Sequence, residues 1–181
     1  MLTKVDAMTF ETARAFLRDH GAEGIAHPGG TLYAHLCRVE QRLASLGARE
    51  HVRLAGLTHA TYGTDGFDRA LLDPTERETL RAVVGDEAEE LVYLHGACDR
   101  DRTWPDLATT STVYDRFTGA ATVLGADRLV PFVDLSIVNE LDVIEQNPAL
   151  LAEHGDYFRG LFAGWASVTS PAVAADARRV C

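Results

Sequence analysis

Apolar residues recur at helical spacing along most of the chain, and most clearly between residues 31 and 47. The recurring positions follow one another at spacings of four, three, four and three residues: Leu32, Leu36, Val39, Leu43 and Leu46. This spacing places all five on one face of an α-helix, which a folded protein buries. Thr31 is a suitable N-cap for that helix, and Gly47 is a typical stop.

No segment alternates between apolar and polar residues over a useful length, so the sequence predicts an all-α fold. We expect a single domain over residues 1–181, built as a bundle of seven to nine helices. The predicted helices lie at about 9–20 with Thr9 as cap, 31–46, 49–60, 73–85, from 86 onward, 109–124, 126–146, 148–167 and 171–180. Three of them start with a cap residue and a proline: Asp73-Pro74, Asn147-Pro148 and Ser170-Pro171. Residues 99–108 are predicted to form a polar loop or lid.

Composition and charge limit the range of partners. Hydrophobic residues make up 46% of the chain and the formal net charge is −10, which disfavours nucleic acid and anionic membranes as partners. Three cysteines without a C-x-x-C pair argue against a disulfide framework or a zinc knuckle. No stretch reaches the ~20 apolar residues of a membrane span, and the N-terminus lacks a secretion signal. The sequence therefore predicts a cytoplasmic protein with a small-molecule substrate, and it leaves open whether the chain forms homo-oligomers.

Two histidines occupy positions where the helical pattern calls for an apolar residue. His35 lies between Leu32 and Val39 on the buried face, and His59 falls near the apolar face of the next helix. Each lies twelve residues from Gly47, the turn between the two helices. Antiparallel packing about this turn would bring the two imidazoles together. The alternative for each is a lone core histidine bonded to a backbone carbonyl.

A carboxylate would turn this pair into a metal site. Asp134 lies in the apolar run 129–140, and a buried acid is rarely left unpaired. Two histidines and one carboxylate would suit a divalent metal. The alternative is a buried aspartate that caps a helix or pairs with an arginine.

The chain resembles the HD-domain superfamily, which consists of helical metal-dependent phosphohydrolases with a few oxygenase relatives. The family pattern is a histidine, a His-Asp dyad and a later aspartate, and His35, His59 and Asp134 match three of its four places. The dyad aspartate is replaced by Ala60. The chain is also similar to a little-characterised HD-like set with the motifs His-Pro-Gly-Gly-Thr, here residues 27–31, and His-Ala-x-Tyr-Gly-Thr, here residues 59–64.

Ala60 cannot ligate a metal, so the resemblance implies at most one ion per chain, such as Fe or Mn, or none. With one ion, the expected chemistry is that of a hydrolase or an oxygenase. Without metal, His35, His59 and Asp134 would act as acid, base and orienting group of a lyase, isomerase or cyclase. A non-catalytic binding protein on the same scaffold is the alternative to an enzyme.

Further polar residues lie near the two histidines in sequence. His27 precedes the His35 helix and Tyr62 follows His59, so both are expected to join the catalytic set. The expected substrate-binding residues are polar side chains close to the proposed ligands: Tyr33, Thr64, Asp65 and Asn139.

Overall fold

The computed structural model describes residues 4–181, with side chains from residue 9 onward. Eight helices of eight or more residues form the described chain: α1 Lys4–Asp19, α2 Leu32–Ser45, α3 Glu50–Thr58, α4 Arg77–Val84, α5 Asp86–Ala97, α8 Ala126–Gln146, α9 Pro148–Gly164 and α10 Pro171–Val180. Two four-residue helices lie between them, α6 Arg100–Thr103 and α7 Leu107–Thr110. The predicted all-α bundle is confirmed. No helix within residues 4–181 has the length and apolar character needed to cross a bilayer.

The only strands in the described chain form two small antiparallel hairpins. The first pairs β1 Ala26–His27 with β2 Gly30–Thr31, and the second pairs β3 Thr112–Tyr114 with β4 Ala121–Val123. The helix predicted at 109–124 is therefore wrong. Ser111 ends α7 in the left-handed region, and the Asp115 carboxylate accepts the backbone N–H groups of Phe117 and Thr118. This side-chain-stabilised turn favours a hairpin over a helix.

Three other predicted boundaries need correction. Residues 99–108, predicted as a polar loop or lid, contain helix α6, a 3₁₀ turn at Trp104–Asp106 and the start of α7. The Asp99 side chain caps α6 at the Arg102 N–H. Asp73 binds Thr75 in a turn, and α4 begins only at Arg77. Thr9 lies inside α1 and does not cap it.

Helices α2 and α3 pack antiparallel in the core. His35 contacts His59 and Glu40 binds Arg53, so positions along one helix rise as their partners along the other fall. A Cβ at Gly56 would lie 2.4 Å from a Leu43 methyl carbon, so glycine permits this close packing. The apolar stripe of α2 is buried through Leu43.

The long helix α8 crosses this pair and also contacts α5, α9 and α10. Every residue from 131 to 142 of α8 is buried, so its polar residues must find partners inside the protein. These polar residues are Asp134, Ser136, Asn139, Glu140 and Asp142. The partners they find decide where the candidate site lies.

Candidate functional site

The structure brings the imidazoles of His35 and His59 into contact. The two Nε2 atoms lie 3.3 Å apart, and the rings meet edge to face with centroids 5.1 Å apart. Each side chain is 1% exposed. The contact lies between the first turns of α2 and the C-terminal end of α3, as the symmetry about Gly47 requires.

Asp142 holds the other nitrogen of His35. His35 Nδ1 lies 2.6 Å from Asp142 Oδ2, and because a carboxylate only accepts, this nitrogen carries the hydrogen. Arg38 donates to both oxygens of the same carboxylate, at 2.7 and 2.9 Å. Burial alone would raise the pKa of Asp142, but the hydrogen bonds from His35 and Arg38 outweigh it and lower the pKa to about 2. Asp142 is therefore an anion held by two donors.

His59 is fixed by its own helix. Its Nδ1–H donates to the Gly56 carbonyl oxygen at 2.8 Å, so the lone pair of a neutral ring is on Nε2. Burial, and then the neighbouring His35, lower the pKa of His59 to about 3. His59 is thus neutral at pH 7 and presents a bare Nε2 to His35.

Asn139 completes the junction from α8. Its Nδ2 donates to Glu140 Oε1 at 2.8 Å, so its Oδ1 is the atom that faces His35 Nε2, at 3.0 Å. Arg100 forms an ion pair with the same Glu140 oxygen at 2.9 Å. The orientation of the amide is set by Glu140, because a carboxylate can only accept.

These bonds leave three electron-rich atoms pointing at one another: His35 Nε2, His59 Nε2 and Asn139 Oδ1. No hydrogen from His59 or Asn139 is available, since theirs are donated to Gly56 and Glu140. A proton on His35 Nε2 or a metal ion at the junction would satisfy these lone pairs.

Two more histidines extend this row of rings. His27, on the β1–β2 hairpin, stacks on His35 with centroids 4.0 Å apart, and burial and then His35 lower its pKa to about 4. His95, on α5, meets His59 edge to face at 5.2 Å. A Cβ at Gly96 would lie 2.9 Å from the Gly63 carbonyl oxygen, so this glycine lets α5 approach the end of α3.

His95 differs from the others in having an unpaired atom. It is 2% exposed, and its Nε2 is the only buried side-chain nitrogen or oxygen among the described residues without a hydrogen-bond partner. Burial, and then the neighbouring His59, hold the pKa of His95 well below its ordinary value.

Asp134 lies outside this cluster, so the predicted ligand position is wrong. Its Oδ1 accepts the Ser170 N–H at 2.9 Å, and it lines a cleft of about 480 Å³ beside the α2–α3 turn. Eight residues of α8 separate it from Asp142, the acid that does reach His35. Asp134 thus binds the backbone at the start of α10 and does not reach His35. Periodicity alone does not show how α8 is rotated against α2, and that rotation decides which acid meets the histidine.

Some of the other predicted site residues contact His35 and others do not. Asn139 and His27 contact His35 directly. The Tyr62 hydroxyl instead donates to Glu89, and the Tyr33 hydroxyl accepts from Arg18, so neither contacts the cluster. Both are close to the histidines in sequence, but Tyr33 lies on another face of α2 and Tyr62 lies in the turn that follows α3.

Thr64 and Asp65 lie at the edge of the cluster. Thr64 pairs through its backbone with Phe67, whose ring meets His27. Asp65 accepts the backbone N–H of Arg100 at 2.9 Å and so helps to hold α6. Neither side chain is hydrogen-bonded to His35 or His59.

Sequence reasoning missed four contributors to the site: Arg38, His95, Glu140 and Asp142. Two of them carried a readable signal. Asp142 follows Asn139 by three residues and Arg38 follows His35 by three, so each shares a helix face with a predicted residue.

Residues 16–100 match the model of a protein family described as a domain of unknown function (DUF6817). No curated protein and no solved structure matches the chain. The matched segment carries His35, His59 and His95 and ends before α8, so it does not include Asn139 or Asp142.

Proposed function

We propose that the chain is a small-molecule enzyme of the HD-domain type, with a single divalent metal ion held by His35, His59 and Asn139. The observation that carries the proposal is the position of two acceptor atoms around His35 Nε2. His59 Nε2 lies 3.3 Å from it and Asn139 Oδ1 lies 3.0 Å from it. Two nitrogens that share a tetrahedral metal at about 2.0–2.1 Å lie roughly 3.3 Å apart. The separation of the two Nε2 atoms fits that value.

The surroundings of both histidines support the same assignment. Metal-binding histidines usually donate their second N–H to a carboxylate or a backbone carbonyl, which fixes the tautomer. His35 donates to Asp142 and His59 donates to the Gly56 carbonyl. Both rings are therefore held with a bare Nε2 directed at the proposed ion.

The donor set limits the ion and its number. No group of three His, Cys, Asp or Glu side chains within the described chain is arranged to hold a metal, so the third protein ligand is the Asn139 amide. Two imidazoles favour Fe(II), Mn(II) or a similar transition ion over Mg²⁺ or Ca²⁺. Ala60, buried beside His59, offers no bridging carboxylate for a second ion.

The charges around the centre indicate the substrate class. A divalent ion at this point supplies Lewis acidity and open positions for a substrate oxygen, as in hydrolases and oxygenases. The pairs Arg38–Asp142 and Arg100–Glu140 are each neutral overall, and the protein ligands carry no charge. An anionic group on the substrate, such as a phosphate ester or a carboxylate, would balance the ion.

Access to the centre requires movement. His35 and His59 are each 1% exposed, and the His27 ring covers His35. The β1–β2 hairpin is held to α2 by a bond of 3.3 Å from Arg38 to the Pro28 carbonyl, which is long for this type. Displacement of this hairpin would admit a small molecule, and its return would exclude water.

A metal-free enzyme is the second candidate, because one proton on His35 would also satisfy the three lone pairs. Asp142 would then be the counter-ion of the His35 imidazolium, and the chemistry would be that of a lyase, isomerase or cyclase. A non-catalytic binding protein shares this geometry and differs in having no turnover. The net charge of −10 supports a small molecule and no nucleic acid as partner, and we propose a cytoplasmic location.

Elemental analysis of protein purified without an affinity tag tests the proposal. We expect one transition-metal ion per chain in the parent and none in His59→Gln, whereas His51→Gln, at a half-buried histidine outside the cluster, keeps the ion. Absence of metal from the parent, together with failure to take up Fe(II) or Mn(II) under anaerobic conditions, would favour the metal-free candidate. A screen of anionic esters and carboxylates then separates an enzyme from a binding protein.

A further inference from the structure

We infer that Glu140 is a positioning residue that makes this centre bind a positive charge, by fixing which end of the Asn139 amide faces His35. The inference rests on the proposed function only in taking the His35–His59 junction as the working site. Glu140 does not reach His35 itself. It acts through the bond from Asn139 Nδ2 to its Oε1, at 2.8 Å.

The two ends of an amide have almost the same shape and opposite hydrogen-bonding character. With its oxygen toward His35 Nε2, as observed at 3.0 Å, Asn139 adds a third lone pair to the junction. With the amide turned by 180°, an N–H would meet the bare Nε2 of a neutral His35. His35 Nε2 would then have a donor without a proton or a metal, and His59 Nε2 alone would remain bare. One hydrogen bond to Glu140 therefore decides whether the centre attracts a cation.

Glu140 is itself held from outside the α2–α3–α8 core. The Arg100 guanidinium lies 2.9 Å from Glu140 Oε1 and covers the Trp104 ring at 4.6 Å. The backbone N–H of Arg100 is in turn bound by Asp65. The carboxylate is thus kept in place beside Asn139, at 7% exposure for Glu140 and 6% for Asn139.

The arrangement mirrors the other side of His35. There an arginine and a carboxylate, Arg38 and Asp142, fix the hydrogen on Nδ1. Here the pair Arg100 and Glu140 fixes the acceptor at Nε2 through Asn139. A salt bridge that only stabilised the fold would not require the bond from Asn139 to Glu140, and Asn139 is the amide that contacts His35.

The test compares three variants. Arg100→Met with Glu140→Met removes the acceptor without leaving a buried lone charge. Glu140→Gln removes the charge but keeps an oxygen that can accept from Asn139. Arg42→Met with Glu145→Met is the matched control, because this pair also joins α8 to a neighbouring helix and does not touch Asn139. Asp176, the other partner of Arg42, keeps its ion pair with Arg179.

Two readouts are used, and the first is the affinity for Zn(II) alone, measured by competition with a chelator. We expect the Arg100/Glu140 double variant to lose at least about tenfold in affinity, which corresponds to 1.4 kcal/mol, and Glu140→Gln to lose about threefold or less. The control pair should leave the affinity unchanged. If the parent binds Zn(II), equal affinity in all the proteins would overturn the inference.

The second readout does not require metal binding. Nuclear Overhauser contacts between the Asn139 side-chain amide hydrogens and the His35 ring hydrogen on Cε1 report the orientation of the amide. We expect these contacts to be weak in the parent and strong in the Arg100/Glu140 double variant. If the parent takes up no Zn(II) but its amide turns in the variant, the metal proposal fails and the inference stands. An amide with the same contacts in both proteins overturns the inference, whatever the metal result.

Discussion

Two buried aspartates on α8 differ in their hydrogen-bond partners and in the direction of their pKa shifts. Asp134 is 9% exposed and Asp142 is 4% exposed, and both lie among apolar neighbours in the sequence. Asp134 receives a backbone N–H from Ser170, whereas Asp142 receives hydrogen bonds from His35 and Arg38. Burial raises the pKa of Asp134, while the charged donors lower that of Asp142 to about 2.

The difference lies in the partners and not in the degree of burial. Hydrogen bonding from the uncharged Ser170 does not compensate Asp134 for the loss of water, so burial favours its neutral form and raises its pKa. A guanidinium and an imidazole compensate Asp142 more than fully. A buried acid therefore identifies a functional site only when its partners are themselves polar side chains that lead to a reactive group.

Replacing Asp142 with Asn should have the largest effect. Arg38, whose side chain is 28% exposed, loses its counter-charge, and the buried His35 Nδ1–H loses a charged acceptor. A hydrogen bond to a charged group contributes about 1.5–3 kcal/mol, so we expect a loss of this size. Urea unfolding at pH 7 measures the loss. A cost below about 1 kcal/mol, the range of exposed ion pairs, would remove the basis of the comparison with Asp134.

Acid should separate the two aspartates by sign. The pKa of Asp142 is lowered to about 2, so its contribution is present above the ordinary value near pH 4 and is lost as the pH falls through 2. The loss is about 2–3 kcal/mol, from 1.36 kcal/mol for each pKa unit. The pKa of Asp134 is raised, so its ionised form costs stability, and this cost disappears in acid.

The measurement is the difference in unfolding free energy between parent and variant from pH 6 to pH 2. The difference for Asp142→Asn should shrink as the pH falls, whereas for Asp134→Asn it should change in the opposite direction. Parallel curves for the two variants would show that their partners do not distinguish them.

The parts of the fold set by local signals could be predicted from the sequence. The helices at 126–146 and 171–180 have the predicted bounds, and the second begins at the cap-plus-proline pair Ser170-Pro171. The contact between His35 and His59 could also be predicted, because two helices joined by a short turn usually pack antiparallel.

The rest depends on tertiary geometry that periodicity does not contain. Asp134 and Asp142 have similar sequence surroundings, and only the rotation of α8 against α2 and α10 decides that Asp142 meets His35. The β3–β4 hairpin was missed because its turn depends on the side chain of one residue, Asp115. The role of Glu140 is a matter of hydrogen-bond direction, which no spacing rule records.

His95→Leu should raise the free energy of unfolding, because it removes a buried polar atom that has no hydrogen-bond partner in the folded protein. The change deletes the unpaired Nε2 from a buried position between His59 and Phe132. A buried unsatisfied group costs about 1–3 kcal/mol, part of which is lost again to imperfect repacking, so we expect a gain of about 1 kcal/mol. Thermal and urea unfolding measure it, with His59→Leu as a destabilising control. A loss instead would mean that His95 Nε2 binds a buried water.

Asp134→Asn should have the smallest effect, and this result would complete the comparison. The side-chain oxygen of Asn can still accept the Ser170 N–H at the start of α10, so this hydrogen bond remains. The variant also removes a carboxylate whose ionised form is disfavoured by burial. These two effects leave a change within about 1 kcal/mol at pH 7, because the hydrogen bond is kept and such a bond contributes only about 1 kcal/mol. Metal uptake should be unaltered, since Asp134 lines the cleft beside the α2–α3 turn and does not touch His35 or His59. A large loss of stability or of bound metal would show that Asp134 serves the centre after all, and the distinction drawn between the two aspartates would then be wrong.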